Sequence, residues 1–402
     1  AQAMVVAYLP SDNEFVRNLG PAIPFVLLFA ALIARRELRL PERIRTHSEP
    51  EPPSPRTTWA IAAIAVLIAI PASGIDWMTP ARLLTGSKGL VFAAITISLV
   101  LLTGLSGQVS LMQMSFAGLG AVVLAKLPDG VPFVISLGIS AVVVGLFGGL
   151  VALPALRLRG LYLALLTLAL AIMMDNLVFG NRFVLGGGTT LAVERPSLFG
   201  INFESERAMF VVLVVVAGVF ANVFLAVRRS SFGRKLAAMR DAPNACQTLG
   251  MNLTLMKLKV FGLSALMAGV AGAFLGGLQS RIGQLDFLWF RSLSVLLVAT
   301  VFGITSVSGA FMGALFFVVL PDLISAVTSG DSDATASLAL QPLIIGLLAI
   351  VTARRPEGLA GQLRDRVRGL IRSLPSAVWS PAPERRTAQT DTEAVPEVSL
   401  AR

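Results

Sequence analysis

Charge is scarce in this chain: of 402 residues, only 14% are Asp, Glu, Lys or Arg, while 55% are hydrophobic. A soluble domain carries about 25% charged residues, so the chain cannot be a water-soluble core with a wetted shell. Cysteine occurs once, at Cys246, which excludes an internal disulfide. Histidine occurs once, at His47, so no His/Cys metal cluster can be built. No run matches G-x-x-x-x-G-K-[ST], so the chain has no loop to cradle the phosphates of ATP. Acidic residues are nearly missing from the apolar runs. Asp175 and its neighbour Asn176 are the only clear candidates for proton or sodium coupling. That poverty disfavours an ion-coupled secondary transporter. The lack of paired carboxylates, or of a Ser or Cys beside a base, disfavours a membrane enzyme. The chain opens on Ala1 without a signal-peptide pattern, which is read as the cut end of something longer.

What is present is apolar sequence in long runs. A helix crossing a bilayer needs about 20 mostly apolar residues. Such runs fall near 58–73, 88–104, 109–127, 131–153, 160–179, 208–227, 258–279, 291–305, 307–327 and 335–353, with an earlier, shorter one near 19–34. The expected fold is all-α, a polytopic transmembrane helical bundle of about ten spans plus one N-terminal span. The net charge of +10 sits in short runs beside these segments, which suits membrane orientation better than nucleic-acid binding. Arg35, Arg36, Arg39, Arg43, Arg45 and Arg56 form one basic connector, Arg228, Arg229, Arg234, Lys235 and Arg240 a second, and Arg354 with Arg355 a third. Basic residues near span ends favour the cytoplasmic side. Six runs separate the first pair of connectors and four the second, both even, so all three can lie inside. The expected organisation is a span at 1–39, a Pro-rich cytoplasmic linker at 40–57, a transmembrane domain at 58–353 with a basic loop at 228–257, and a cytoplasmic tail at 354–402. Residues 358–374 of that tail alternate Leu and Arg at helical spacing. They lie either along the anionic inner leaflet or as a solvated helix.

The stretch 103–120, TGLSGQVSLMQMSFAGLG, is odd inside lipid. Leu105-Ser106-Gly107-Gln108 is one glycine short of the LSGGQ signature of transport ATPases, but its apolar flanks and the missing phosphate loop exclude an ATPase. Gly104, Gly107, Gly118 and Gly120 let backbones approach, and Gln108, Ser110, Gln113 and Ser115 can hydrogen-bond between helices. Two readings stand and can coexist. One is a tightly packed helix seam. The other is the wall of a solute path formed by Gln108, Ser110, Gln113 and Ser115 with Gly104, Gly107 and Gly118.

The basic loop, 228–261, is too long for a tight helix connector. It has a helical run from Arg234 to Met239 and a second after Pro243, ending at Gly250. It is either a lever coupling a soluble partner to the spans or a plain interfacial loop.

This loop resembles the cytoplasmic coupling loop of permease subunits of branched-chain amino-acid ABC importers. The matching residues are Ser230-Ser231-Phe232-Gly233-Arg234-Lys235-Leu236, Ala238, Arg240-Asp241 and Thr248-Leu249-Gly250-Met251-Asn252. "GLSGQVSLMQMSFAGLGA", "RLRGLYLALLTLALA", "LGGGTTL" and "TARRPEGL" follow the same family's order, over about 88–361, and resemble the second of its two permease types. Residues 1–40 resemble the last span of the first type, as in the C-terminal part of a fusion of both. Pro243 and Gln247 stand where the family often has acidic residues, and Thr190 where it often has Gly.

The resemblance implies a permease in the bacterial inner membrane with the coupling loop and C-terminus cytoplasmic. It implies no cofactor of its own, ATP being bound by partner subunits. The implied partners are two ABC ATPase subunits, a second permease subunit or fused half, an extracytoplasmic solute-binding protein and membrane lipid, with no nucleic acid. Phe232, Gly233, Arg234, Arg240, Asp241, Leu249 and Gly250 are the implied ATPase-coupling residues. Branched-chain amino acids are the implied cargo, with urea or short amides as alternatives.

Overall fold

The computed structural model describes residues 54–352, with breaks at 74–78, 129, 156–157, 159, 199–200, 203–204 and 328–333, together with residues 358, 359 and 361. The run near 19–34, most of the linker, and nearly all of the tail, with its Leu/Arg segment, lie outside the described residues.

Every expected run from residue 58 onward contains a helix. The helices are α1 (Pro55–Ala72), α2 (Pro80–Val100), α3 (Gln113–Ala125), α4 (Phe133–Ala155), α5 (Leu161–Met174), α6 (Glu206–Arg229), α7 (Ser231–Asp241), α8 (Pro243–Thr248), α9 (Leu253–Gln279), α10 (Trp289–Phe302), α11 (Val307–Val327) and α12 (Ala334–Thr352). Wide π-turns extend α2 through Leu101–Leu105 and α5 through Asp175–Phe179. Among the described residues, seven helices are long and apolar enough to cross a membrane. The helices over 55–71, 113–125 and 340–352 are apolar but shorter. The coarse expectation of a helical membrane bundle therefore holds.

α2 and α9 form the centre, and α9 packs directly on both α3 and α4. Glycine explains the closeness. A Cβ at Gly272 of α9 would lie 1.9 Å from Ala117 O of α3, and one at Gly120 would lie 2.1 Å from Gly269 O. Gly148 of α4 faces Ala265 of α9 in the same way. Without a hydrophobic force between helices in lipid, such small-residue contacts are what holds them. The outer faces of α1, α4 and α12 expose Ile64, Leu67, Leu146, Leu150, Leu347 and Ile350, apolar side chains suited to lipid.

The bundle has two distinct ends. At one, Gly104 packs on Ile304 O, Gly358 packs on Gly303, and Arg229 bonds Thr58. At the other, β1 (Thr190–Ala192) pairs antiparallel with β4 (Arg281–Gly283), in register Thr190↔Gly283. There Lys126 Nζ donates to Phe183 O, and Thr85 Oγ1 to Asp322 Oδ2. A small hairpin, β2 (Ser197–Leu198) with β3 (Ile201–Asn202), lies in the same connection as β1. Arg195, between β1 and β2, pairs with Glu206 at 2.9 Å and fixes the connection to the start of α6.

Candidate functional site: a broken helix beside the basic loop

Residues 107–112 are not helical. α2 ends in its π-turn, and α3 does not begin until Gln113. With 13 residues α3 is only about 20 Å long, short of the ~30 Å hydrocarbon layer. Irregular backbone at membrane depth survives only where protein satisfies its polar groups, and here neighbouring hydroxyls do so. The N–H of Leu111 donates to Thr167 Oγ1 of α5 at 3.0 Å, that of Met112 to Ser110 Oγ at 3.3 Å, and that of Met114 to Ser292 Oγ of α10 at 3.0 Å. The last two are among the donors a helix start leaves unpaired.

Gln113 clamps the start of α3. Its Nε2 donates to Ser98 Oγ of α2 at 2.9 Å and to Ser264 Oγ of α9 at 2.8 Å. Ser264 Oγ donates in turn to Ser98 O, and Ser98 Oγ to Ile95 O. Other polar atoms here are buried with no partner among the described residues: Thr103 Oγ1, Gln108 Nε2, Gln113 Oε1 and Ser115 Oγ. The solute-path candidates thus lie inside the helix bundle, with one exception. Gly104, Gln108, Ser110, Gln113, Ser115 and Gly118 are buried, and only Gly107 is exposed. Gly118 is wedged against Phe179 and Phe287, whose rings pair at 5.6 Å. Asp175 is also buried, its Oδ1 accepting from Gln284 Nε2 at 3.0 Å.

The basic loop is built by its own capping residues. Ser230 ends α6 and starts α7 in one step, its Oγ accepting from the N–H of Gly233 at 3.1 Å. A Cβ at Gly233 would lie 2.2 Å from Val227 O, so only glycine permits this fold-back. Gly250 ends α8 with φ +76°, a conformation glycine adopts freely. Asn252 then caps α9 through Oδ1 and the N–H of Leu255 at 3.0 Å.

The coupling candidates divide by direction. Phe232 and Gly233 face inward, whereas Arg234, Leu249 and Gly250 are exposed, Leu249 by 80%. Arg234 Nη1 donates to Arg229 O, at the C-terminal end of α6. Arg240 turns into the protein. Its side chain is 19% exposed, its Nε pairs with Asp241 Oδ1 at 2.9 Å, and its Nη1 donates to Gly104 O. The two motifs read separately in the sequence therefore meet. Four participants were not singled out: Ser98, Thr167, Ser264 and Ser292. Their signal is weak, since a lone hydroxyl in an apolar run often bonds its own helix.

Among known proteins, the family described as branched-chain amino acid transport system / permease component matches residues 81–353. The chain is 28% identical over 305 residues to the high-affinity branched-chain amino acid transport system permease protein LivM of Salmonella typhimurium, covering 69% of this chain and 70% of that one. The LivM protein of Escherichia coli gives the same identity and coverage. The fructose import permease protein FrcC of Rhizobium meliloti is 26% identical over 194 residues, covering 44% of this chain and 51% of that one. No solved structure matches.

Proposed function

The chain belongs to the branched-chain amino acid transport system permease family, and from that premise we propose that it is a membrane subunit of an ATP-driven importer of branched-chain amino acids. It performs no covalent chemistry. ATP is hydrolysed by separate ATPase subunits, a binding protein delivers the solute outside, and a second permease subunit, or a fused half, completes the path. Ten crossings fit the two ends. The basic loop, the turn at 101–108 and the α10–α11 turn share one end, and the strand-bearing connections share the other. The first end is the cytoplasmic one on the charge pattern.

The observation that carries this reading is the α7–α8 pair. It is fixed between two long spans, α6 and α9, and presents Arg234, Lys235 and Leu249 outward. A rigid handle of this kind lets a motor bias two states of the bundle, provided the motor binds them differently. Residues 103–115 hold four buried polar atoms without a partner among the described residues, more than any other stretch of similar length, and they are the segment assigned to the solute path. Reconstitution tests the whole reading: uptake of leucine into vesicles should require the ATPases, ATP and the binding protein together. Sidedness is tested by labelling. Thr248 is exposed and Cys246 is buried. A Thr248→Cys variant should resist impermeant thiol reagents in intact cells and react in inverted vesicles. Labelling from outside intact cells would refute the orientation.

A further inference from the structure

We propose that Arg240 is the tie that carries movement of the α7–α8 handle into the broken segment between α2 and α3, rather than a contact for the motor itself. This rests on the importer reading above. The side chain bridges the two places. Its aliphatic stem lies against Gly107, where a Cβ would sit 2.7 Å from Arg240 Cγ, and Gly107 is held at φ +69°. The guanidinium then divides its donors, Nε to Asp241 Oδ1 on its own helix and Nη1 to Gly104 O at the end of the α2 π-turn.

The acceptor is well chosen. The last carbonyls of a helix lack helical partners and carry partial negative charge, so a cation bonded there is held firmly. The fork matters too. A guanidinium can serve a carboxylate and a carbonyl at once, whereas an ammonium is a single point charge. Asp241 orients the fork, and Gly107 admits the stem.

What lies beyond Gly104 explains why a pull there has an effect. Ahead of the tie, α2 is almost fully buried and pinned to α3 and α9 through Gln113. Behind it, residues 108–112 lie outside any helix, and Thr103, Gln108 and Ser115 keep polar atoms without a partner among the described residues. The stretch best able to change shape is the one the arginine holds.

The test uses the reconstituted complex of the full chain with its ATPases and binding protein. Arg240→Gln should keep the ATPases bound and hydrolysing, yet lower uptake per ATP about tenfold, the change expected for losing a hydrogen bond from a charged donor. Arg240→Lys should fall between, because it keeps the charge and loses the fork. Arg234→Gln, on the outward face, should instead weaken ATPase retention. A second readout needs no transport: in the purified chain, hydrogen exchange at amides 104–112 should rise in Arg240→Gln while that of α9 stays unchanged. Unchanged exchange at 104–112, unchanged uptake per ATP, or loss of the ATPases from Arg240→Gln would each overturn the tie. Wild-type vesicles with no ATP-dependent uptake would overturn the importer reading instead, and the exchange comparison would still decide the tie.

Discussion

Gly272→Ala is the sharpest test of how this bundle is held together. The new Cβ would lie 1.9 Å from Ala117 O, 2.3 Å from its C and 2.4 Å from its Cα. All three are backbone atoms of α3, so no side chain can rotate away. Ordinary contact begins at 3.4 Å, so α3 and α9 must part by about 1.5 Å to relieve the clash. The same shift would stretch the 2.8 Å bond from Gln113 Nε2 to Ser264 Oγ past about 4 Å, where it ceases to be a hydrogen bond. Overpacking costs about 1–3 kcal/mol, and an interhelical hydrogen bond in a membrane protein about 0.6 kcal/mol. The expected loss is therefore about 2–4 kcal/mol, or roughly 2–5 °C in melting temperature for a protein of this size. Thermal unfolding in detergent, followed by intrinsic fluorescence or light scattering, measures it. Gly138→Ala is the control: nothing lies within 4 Å of a Cβ there, and alanine is the better helix former. If Gly272→Ala melts within a degree of the unaltered protein, α3 and α9 are not in backbone contact. The small-residue account of the core would then fail.

Further outcomes follow from the same geometry. Gln113→Leu should cost about 1 kcal/mol or less in detergent melting, because Ser98 and Ser264 keep their own carbonyl acceptors. Gln113→Glu should cost several kcal/mol, since a buried carboxylate would demand those same hydroxyls as donors. Leu249→Asp should leave the melting temperature unchanged, as an exposed substitution does within about 0.5 kcal/mol, while co-purification of the ATPase subunits falls sharply.

Length and hydropathy were enough to locate the helices from residue 58 onward, because crossing lipid demands a run of apolar residues whatever its neighbours are. The run at 109–127 shows the limit. Hydropathy continues through Leu111 and Met112, but helix begins only at Gln113. The break depends on hydroxyls from Thr167 and Ser292, distant in the chain. Local chemistry was legible in part in the basic loop. Gly250 marks the end of the second loop helix as expected, but the first begins at Ser231 rather than after Gly233, because Ser230 caps it through the N–H of Gly233. Gly118 and Gly120 announced close packing, but not that Phe179, Phe287 and Gly269 would be the surfaces met.

The sequence by itself determined that this chain lives in lipid, where its helices run, and which family's motifs it carries, since each depends on composition or short spacing. Only the tertiary structure decided the direction of its polar side chains. Arg234 and Arg240 look alike as letters on one short helix, yet one faces outward and the other reaches Gly104, some 136 positions away in the chain. A side chain's direction is set by what packs against its helix, and that neighbour was chosen by glycine contacts elsewhere in the bundle.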